Sequence, residues 1–303
     1  MNTFVMNPNA YDVVFLSYDE PNADENYEHL LTLKPKAKRI HGVKGSDAAH
    51  KAVAEIVKTD RVLIVDGDNK IKSNFFGKNV YTKPHFDWTD YVFSYSSYNP
   101  LNGNCYGNGG IKCWPVHLLK EMRTHEIGDG VDFQLDKYLE LNRIGSETIV
   151  TTSPLQAFRA GFRDGMKLLD SGSKDFEKMD WRNRERLYNW MHIGSDIKNG
   201  LWAIYGARLG AFMLLRGHDI KMLNDFDKIN EVFETYSGIA NINLMEECNK
   251  IGRTFNSKYV HDVLLADESK EMKLNYEPPM RSAEEFLAGT NKENIDKFYA
   301  STV

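Results

Sequence analysis

The sequence predicts an α/β protein in which a mixed sheet flanked by helices is followed by a mostly helical C-terminal part. Three observations predict it. The run Arg61-Val62-Leu63-Ile64-Val65 sets four apolar residues together, three of them β-branched, as in a strand covered on both faces, and it stops abruptly at Asp66-Gly67-Asp68. Two strand-helix pairs lead up to that strand, the order of a parallel α/β half. From about residue 175 onward the apolar spacing is mostly helical. The expected division is a core over 1–170 and a helical part over 171–303.

Taken in order, residues 11–18 (YDVVFLSY) read as the first strand, with the polar 19–22 as its exit. A short helix over 22–33 ends before Pro35 and a cluster of lysines and Arg39. Residues 39–43 read as the second strand. Asp47 or Ser46 then caps a helix whose Ala49, Ala52, Val53, Ile56 and Val57 share one face. Beyond the central strand, 91–95 is a further strand. The stretch 96–110 is rich in glycine, amides and tyrosine; it reads either as a substrate-facing loop or as a β-hairpin with turn residues. An extended segment over 111–114 and a short helix over 116–123 follow. Residues 133–141 are expected to form a helix, and 147–151 a strand. Ser153-Pro154-Leu155-Gln156 is a helix start, with a capping box and proline at the first helical position. In that helix Leu155, Phe158, Phe162, Met166 and Leu169 make the apolar face. Helices over 181–191 and 199–216 follow.

Bulk properties bound the function. The chain has 303 residues, 42% hydrophobic and 27% charged, which are ordinary globular values. A net charge of -5 offers no overall basic field to nucleic acid, although a local basic groove is compatible with it. Three cysteines, odd in number and without a Cys-x-x-Cys, fit a reduced, cytoplasmic protein. The first residues have neither a basic n-region nor an apolar core, so no signal peptide is expected. The stretch nearest to a membrane span, 201–215, is too short and carries Arg208; its repeated alanines and glycines suit close helix packing instead. No membrane association is expected.

Asp66 and Asp68 are the centre of the chemical argument. Ionised acids at the carboxyl end of a central strand do nothing for a core. They suit a hard divalent cation, Mn2+ or Mg2+, which takes carboxylate oxygens and shares itself with substrate phosphates. The bland alternative is a strand-to-turn exit with two solvated acids, since Asp-Gly is a common turn dipeptide.

With its ordered strand-helix-strand context, the chain resembles a GT-A-type glycosyltransferase. The first strand, the helix after His41-Gly42 and the strand ending Asp66-Gly67-Asp68 match the Rossmann-like nucleotide-sugar-binding half and its Asp-x-Asp signature. The segments SPLQAFRAGFRDG (153–165) and NGLWAIYGARLG (199–210) resemble blocks of bacteriophage-encoded glycosyltransferases. The resemblance covers about 10–215. It implies transfer of a sugar, a hexose or pentose, from a nucleotide-diphosphate donor such as a UDP-sugar, with Asp66 and Asp68 holding Mn2+ or Mg2+. It further implies that the acceptor is a hydroxylated pyrimidine in double-stranded phage DNA, and that the protein works in the host cytoplasm.

Roles implied for other residues each stand beside a simpler one. Asp132, with Asp129 as the near alternative, takes the place of the acid that deprotonates the acceptor in inverting members; either equally suits a helix N-cap. His192 is placed by chain order to be a third metal ligand, although a lone histidine is more often structural. His41 and Lys44 flank glycines at a strand-to-helix turn that suits uracil, ribose or phosphate. Tyr18, with Asp19 and Glu20, ends the first strand and can meet the base or ribose. Arg159 and Arg163 can grip phosphates or simply line a solvated helix face. Arg182, Arg184 and Arg186 form a basic stretch that can track a nucleic acid backbone, or a plain surface helix. The rival enzymatic reading is a haloacid-dehalogenase-type phosphatase, against which Asn69-Lys70-Ile71 lacks the expected Thr or Val. A non-catalytic nucleotide-sugar binder is the third reading.

Overall fold

The computed structural model describes residues 5–81, 87–123, 137–174, 178–240 and a few positions between 243 and 251. They fall into two compact units. The first holds the described residues up to Pro100 and those of Cys105–Ile149; the second holds Leu101–Asn104 and the described residues from Val150 onward. The sequence placed this division after residue 170. It falls earlier because the helix that begins at Pro154 packs along a helix of the second unit.

In the first unit the elements are β1 (Val5–Met6), β2 (Asp12–Ser17), α1 (Ala23–Leu33), β3 (Lys38–His41), α2 (Ser46–Ile56), β4 (Arg61–Asp66), β5 (Asn69–Ile71), β6 (Val80–Tyr81), β7 (Val92–Tyr98), β8 (Cys105–Pro115), α3 (Val116–Lys120) and β9 (Tyr138–Thr148). β1 and β6 form a small antiparallel pair. The other seven strands make one mixed sheet of order β3-β2-β4-β8-β7-β9-β5. β3, β2 and β4 are parallel, whereas β8 is antiparallel to β4.

Alternation along β2 and β4 explains why these runs are apolar throughout. Val13, Phe15, Leu63 and Val65 join one core with Leu30 of α1, while Val14, Val62 and Ile64 join another with Val53 of α2 and Leu119 of α3. Both faces of the sheet are covered, so neither set of alternate positions is free to be polar. Gly45, at φ +95°, precedes α2, and no side chain caps that helix; the expected capping by Ser46 or Asp47 is absent because both residues lie inside it.

One expectation is overturned here, and one open alternative is decided. Residues 138–141, expected in a helix, belong to β9, which pairs parallel with β7 and antiparallel with β5. Tyr138, Leu139 and Leu141 mimic helical spacing because both faces of β9 meet apolar neighbours here: Leu139 and Leu141 join one core and Tyr138 the other. The glycine-rich 96–110 is the hairpin alternative: it forms the end of β7, a turn and the start of β8. Its glycines answer to close approach. A Cβ at Gly109 would lie 2.3 Å from the backbone oxygen of Tyr95, and one at Gly107 would lie 2.1 Å from the carboxylate of Glu140.

The second unit is helical: α4 (Pro154–Ser171), α5 (Trp181–His192), α6 (Gly200–Leu215) and α7 (Phe226–Ala240). Ser153 Oγ accepts from Gln156 N at 3.1 Å, the expected cap, while the Gln156 side chain reaches Thr152 N at 3.1 Å, one residue before the position a full capping box would use. α4 and α6 touch backbone to backbone. A Cβ at Gly161 or Gly165 would meet the carbonyl oxygens of Ala203 and Ala207 at 2.0 and 2.2 Å, and one at Gly206 or Gly210 those of Phe158 and Phe162 at 2.2 and 2.4 Å. The small residues of 201–215 thus have α4 as their packing partner. Among the described residues no helix is long and apolar enough to cross a membrane.

Candidate functional site

The first unit gathers acids where its parallel strands end. After the buried run of β4, Asp66 is the first residue to reach solvent, its side chain 44% exposed. Gly67 then lets the end of β2 come in close: a Cβ there would lie 2.5 Å from a Glu20 carboxylate oxygen and 2.9 Å from Ser17 Cβ. The turn is tied on both sides. Asn26 of α1 donates to the Gly67 carbonyl at 2.9 Å, and Ile149 N–H donates to the Asp68 carbonyl at 2.8 Å.

Three carboxylates therefore share one small region. Burial, followed by the charges of Asp66 and Glu20, pushes the Asp68 carboxyl up to about 7, against a hydrogen bond from Asn69 that favours its ionised form. Glu20 is also raised, first by burial, although Tyr18 N donates to its Oε2 at 2.8 Å. Buried Lys112 of β8 answers them: its Nζ lies 3.8 Å from Asp66 Oδ2 and donates to the Gly109 carbonyl at 2.8 Å.

Beside the acids, the ends of β2 and β3 form a second polar group. Ser17 Oγ lies 3.0 Å from His41 Nδ1 and accepts from Arg39 Nε at 3.0 Å. Arg39 also donates to Asp24 at 2.6 Å and lies over the Phe15 and Tyr27 rings. Exposed Lys44 stands in the turn between Gly42 and Gly45, both at positive φ.

Among the described residues no group of three or more histidine, cysteine, aspartate or glutamate side chains is arranged to hold a metal ion. The two aspartates nevertheless fit a hard cation of the Mg2+ or Mn2+ kind, which uses one or two carboxylates and fills its remaining positions with water and substrate phosphate.

Of the residues singled out in the sequence, Tyr18, His41, Lys44, Asp66 and Asp68 lie along the carboxyl ends of β2, β3 and β4. Arg159, Arg163 and His192 belong to the second unit. The guanidinium groups of Arg159 and Arg163 both lie over the Phe226 ring, at 5.0 and 5.2 Å, and Arg163 donates to the Leu223 carbonyl. His192 is buried and stacked on Tyr188, with Nδ1 2.8 Å from the Tyr188 carbonyl and Nε2 without a hydrogen-bond partner among the described residues. Burial, then the nearby Arg208 charge, pushes it down to about 3, so it is a neutral core histidine in its own unit. Asp129 and Asp132 lie outside the described residues.

Sequence reasoning missed Lys112 and Asn69 as members of the site. A lysine between Ile111 and Cys113, both core residues, was the available signal: a charge inside a covered strand needs a partner. No protein-family model matches the chain, and no curated protein matches it.

Proposed function

We propose that this chain is a metal-dependent glycosyltransferase with a GT-A-like core, moving a sugar from a nucleotide-diphosphate donor, a UDP-sugar in the leading reading, to an acceptor hydroxyl. The observation that carries the reading is the Asp66–Asp68 pair at the carboxyl end of β4, with Glu20 and Lys112 around it. Ligands of α/β sheets bind outside the carboxyl ends of the strands. A bound Mn2+ or Mg2+ would neutralise charge on the departing diphosphate.

Asp66 and Asp68 hold the cation. Lys112 sets a fixed positive charge next to the same place, where developing negative charge gains most from it. Ser17, Arg39 and His41 offer donors and acceptors to the nucleoside, and Lys44 with its flanking glycines offers a cation and open backbone. Arg159 and Arg163 keep the packing role that Phe226 gives them. Asp132, or Asp129, takes the acceptor proton. The acceptor in this reading is a hydroxymethylated pyrimidine in DNA, with a glycan or a protein hydroxyl as the alternative.

The test is nucleotide release from a panel of UDP- and GDP-sugars with Mn2+, with and without DNA containing 5-hydroxymethylcytosine. Release with one donor, stimulated by that DNA and reduced at least about 100-fold in Asp66→Asn and Asp68→Asn, is the expected result. Release indifferent to DNA redirects the acceptor to glycans or proteins. Absence of release from every donor, with both variants folded, overturns the reading; inorganic phosphate from a monoester would put the phosphatase in its place.

A further inference from the structure

Directly after the two acids, Asn69 opens β5 and is buried. Its side-chain amide has two ends with different surroundings. At one end, Nδ2 donates to Asp68 Oδ1 at 2.6 Å. At the other, three hydroxyls from two other strands converge on Oδ1: Ser146 at 2.7 Å, Ser97 at 3.0 Å and Thr148 at 3.1 Å. The hydroxyls also lie within hydrogen-bond distance of one another, Ser97 Oγ 2.6 Å from Thr148 Oγ1 and 3.1 Å from Ser146 Oγ, so their three protons are shared between Oδ1 and these contacts. The pocket for the amide depends on Gly110 of β8, where a Cβ would come within 2.0 Å of Nδ2.

An ordinary turn asparagine bonds to local backbone. This one is gripped by β7 and β9 and hands a single donor to a carboxylate. Turning the amide over would set its carbonyl against the Asp68 carboxylate, acceptor against acceptor, and break the triple contact behind it.

We propose that Asn69 is the positioning residue of the Asp66–Asp68 site: locked by Ser97, Ser146 and Thr148, it commits one oxygen of Asp68 and so presents that carboxylate to a divalent cation through its other oxygen. The inference rests on the metal-dependent reading above. It assigns to Ser97, Ser146 and Thr148 the outer-shell role by which partners of a ligating carboxylate tune a metal site. Nothing in this arrangement requires the three hydroxyls to touch the ion or the substrate.

The test is Mn2+ binding by the full chain without donor, titrated by the loss of the free-ion electron paramagnetic resonance signal, in wild type, Asp66→Asn, Asn69→Leu and Thr148→Val. Circular dichroism and the thermal midpoint are measured alongside. The expected result is saturable binding lost in Asp66→Asn, weakened about 10- to 100-fold in Asn69→Leu and by a smaller factor in Thr148→Val, with all proteins folded. Under saturating Mn2+ the maximal turnover of Thr148→Val should recover, so that the defect lies in the metal activation constant. A purely structural network predicts the opposite pattern: lowered midpoints with unchanged Mn2+ affinity in the folded protein, which overturns the positioning role while leaving the metal site standing. If Asn69→Leu does not fold, Thr148→Val decides alone. Wild type without Mn2+ binding overturns this inference; Mn2+ binding that survives Asp66→Asn overturns the assignment of both acids.

Discussion

The carboxyl ends of β2 to β4 and the α4–α6 helix pair are opposite solutions to packing. In the helix pair, four glycines let two backbones meet, and every close approach is to a carbonyl that cannot move aside. At the strand ends, three acids crowd a turn that one buried lysine only partly offsets. The first region spends side chains to gain contact. The second keeps carboxylates whose burial and mutual charge oppose folding.

The sharpest way to break this comparison is to fill the helix contact. Gly161→Val sets atoms about where the Ala203 carbonyl stands, and we expect a loss of about 3 kcal/mol or more in the second unit, measured by urea denaturation. A surface glycine such as Gly77, with open space around its would-be Cβ, should tolerate alanine within about 0.5 kcal/mol. Equal losses at both positions would remove the distinction.

Acid sharpens the comparison from the helical side. His192 has an ordinary value of 6.5 and is pushed down to about 3 in the folded unit. Below 6.5 the unfolded chain takes up a proton that the folded one refuses. Its contribution is therefore intact above that value and is lost as pH falls toward 3, at about 1.4 kcal/mol per pH unit. Unfolding free energy near pH 5 should be about 2 kcal/mol lower than at pH 7.5 from this residue alone, and His192→Leu should flatten that slope. A slope unchanged in the variant would sink the assignment.

The smallest effect has the opposite sign and belongs to the strand ends. Asp68 moves from 3.8 to about 7 on folding, so its stabilising share is present below 3.8 and lost as pH rises through 7. In metal-free buffer at pH 8, Asp68→Asn should raise stability by about 1 kcal/mol, a figure kept low because the side chain is partly exposed. Near pH 4 the substitution should be almost neutral. Thermal unfolding at the two pH values checks this, and a destabilised variant at pH 8 would mean that the acids are relieved by contacts other than Asn69 and Lys112.

Much of the architecture was legible because local signals agreed with it. Val62 to Val65 read as a doubly covered strand and Ser153 to Gln156 as a helix start, and both are so. What stayed hidden depends on partners far away in sequence. Asn69 to Ile71 is too short to show a period, and it becomes a strand only by pairing with Ser146 to Thr148. Gly107 and Gly109 read equally well as turn residues or as part of a hairpin, because Glu140 and the β7 backbone that crowd them cannot be seen from composition. The site divides in the same way. Asp66 and Asp68 announced themselves, whereas Asn69 and Lys112 draw their meaning from hydroxyls and a carboxylate on other strands.

The sheet order gives the two-residue link at Gly67 and Asp68 an engineering consequence. β4 is third from one edge of the sheet, yet β5, only two residues on, forms the opposite edge. The link thus joins an interior strand to the far edge of a curled sheet. Its length is fixed by the curl, so an inserted residue here would shift the register of an entire edge. A designer moving this acid pair to another scaffold would have to transplant the closure along with the two aspartates.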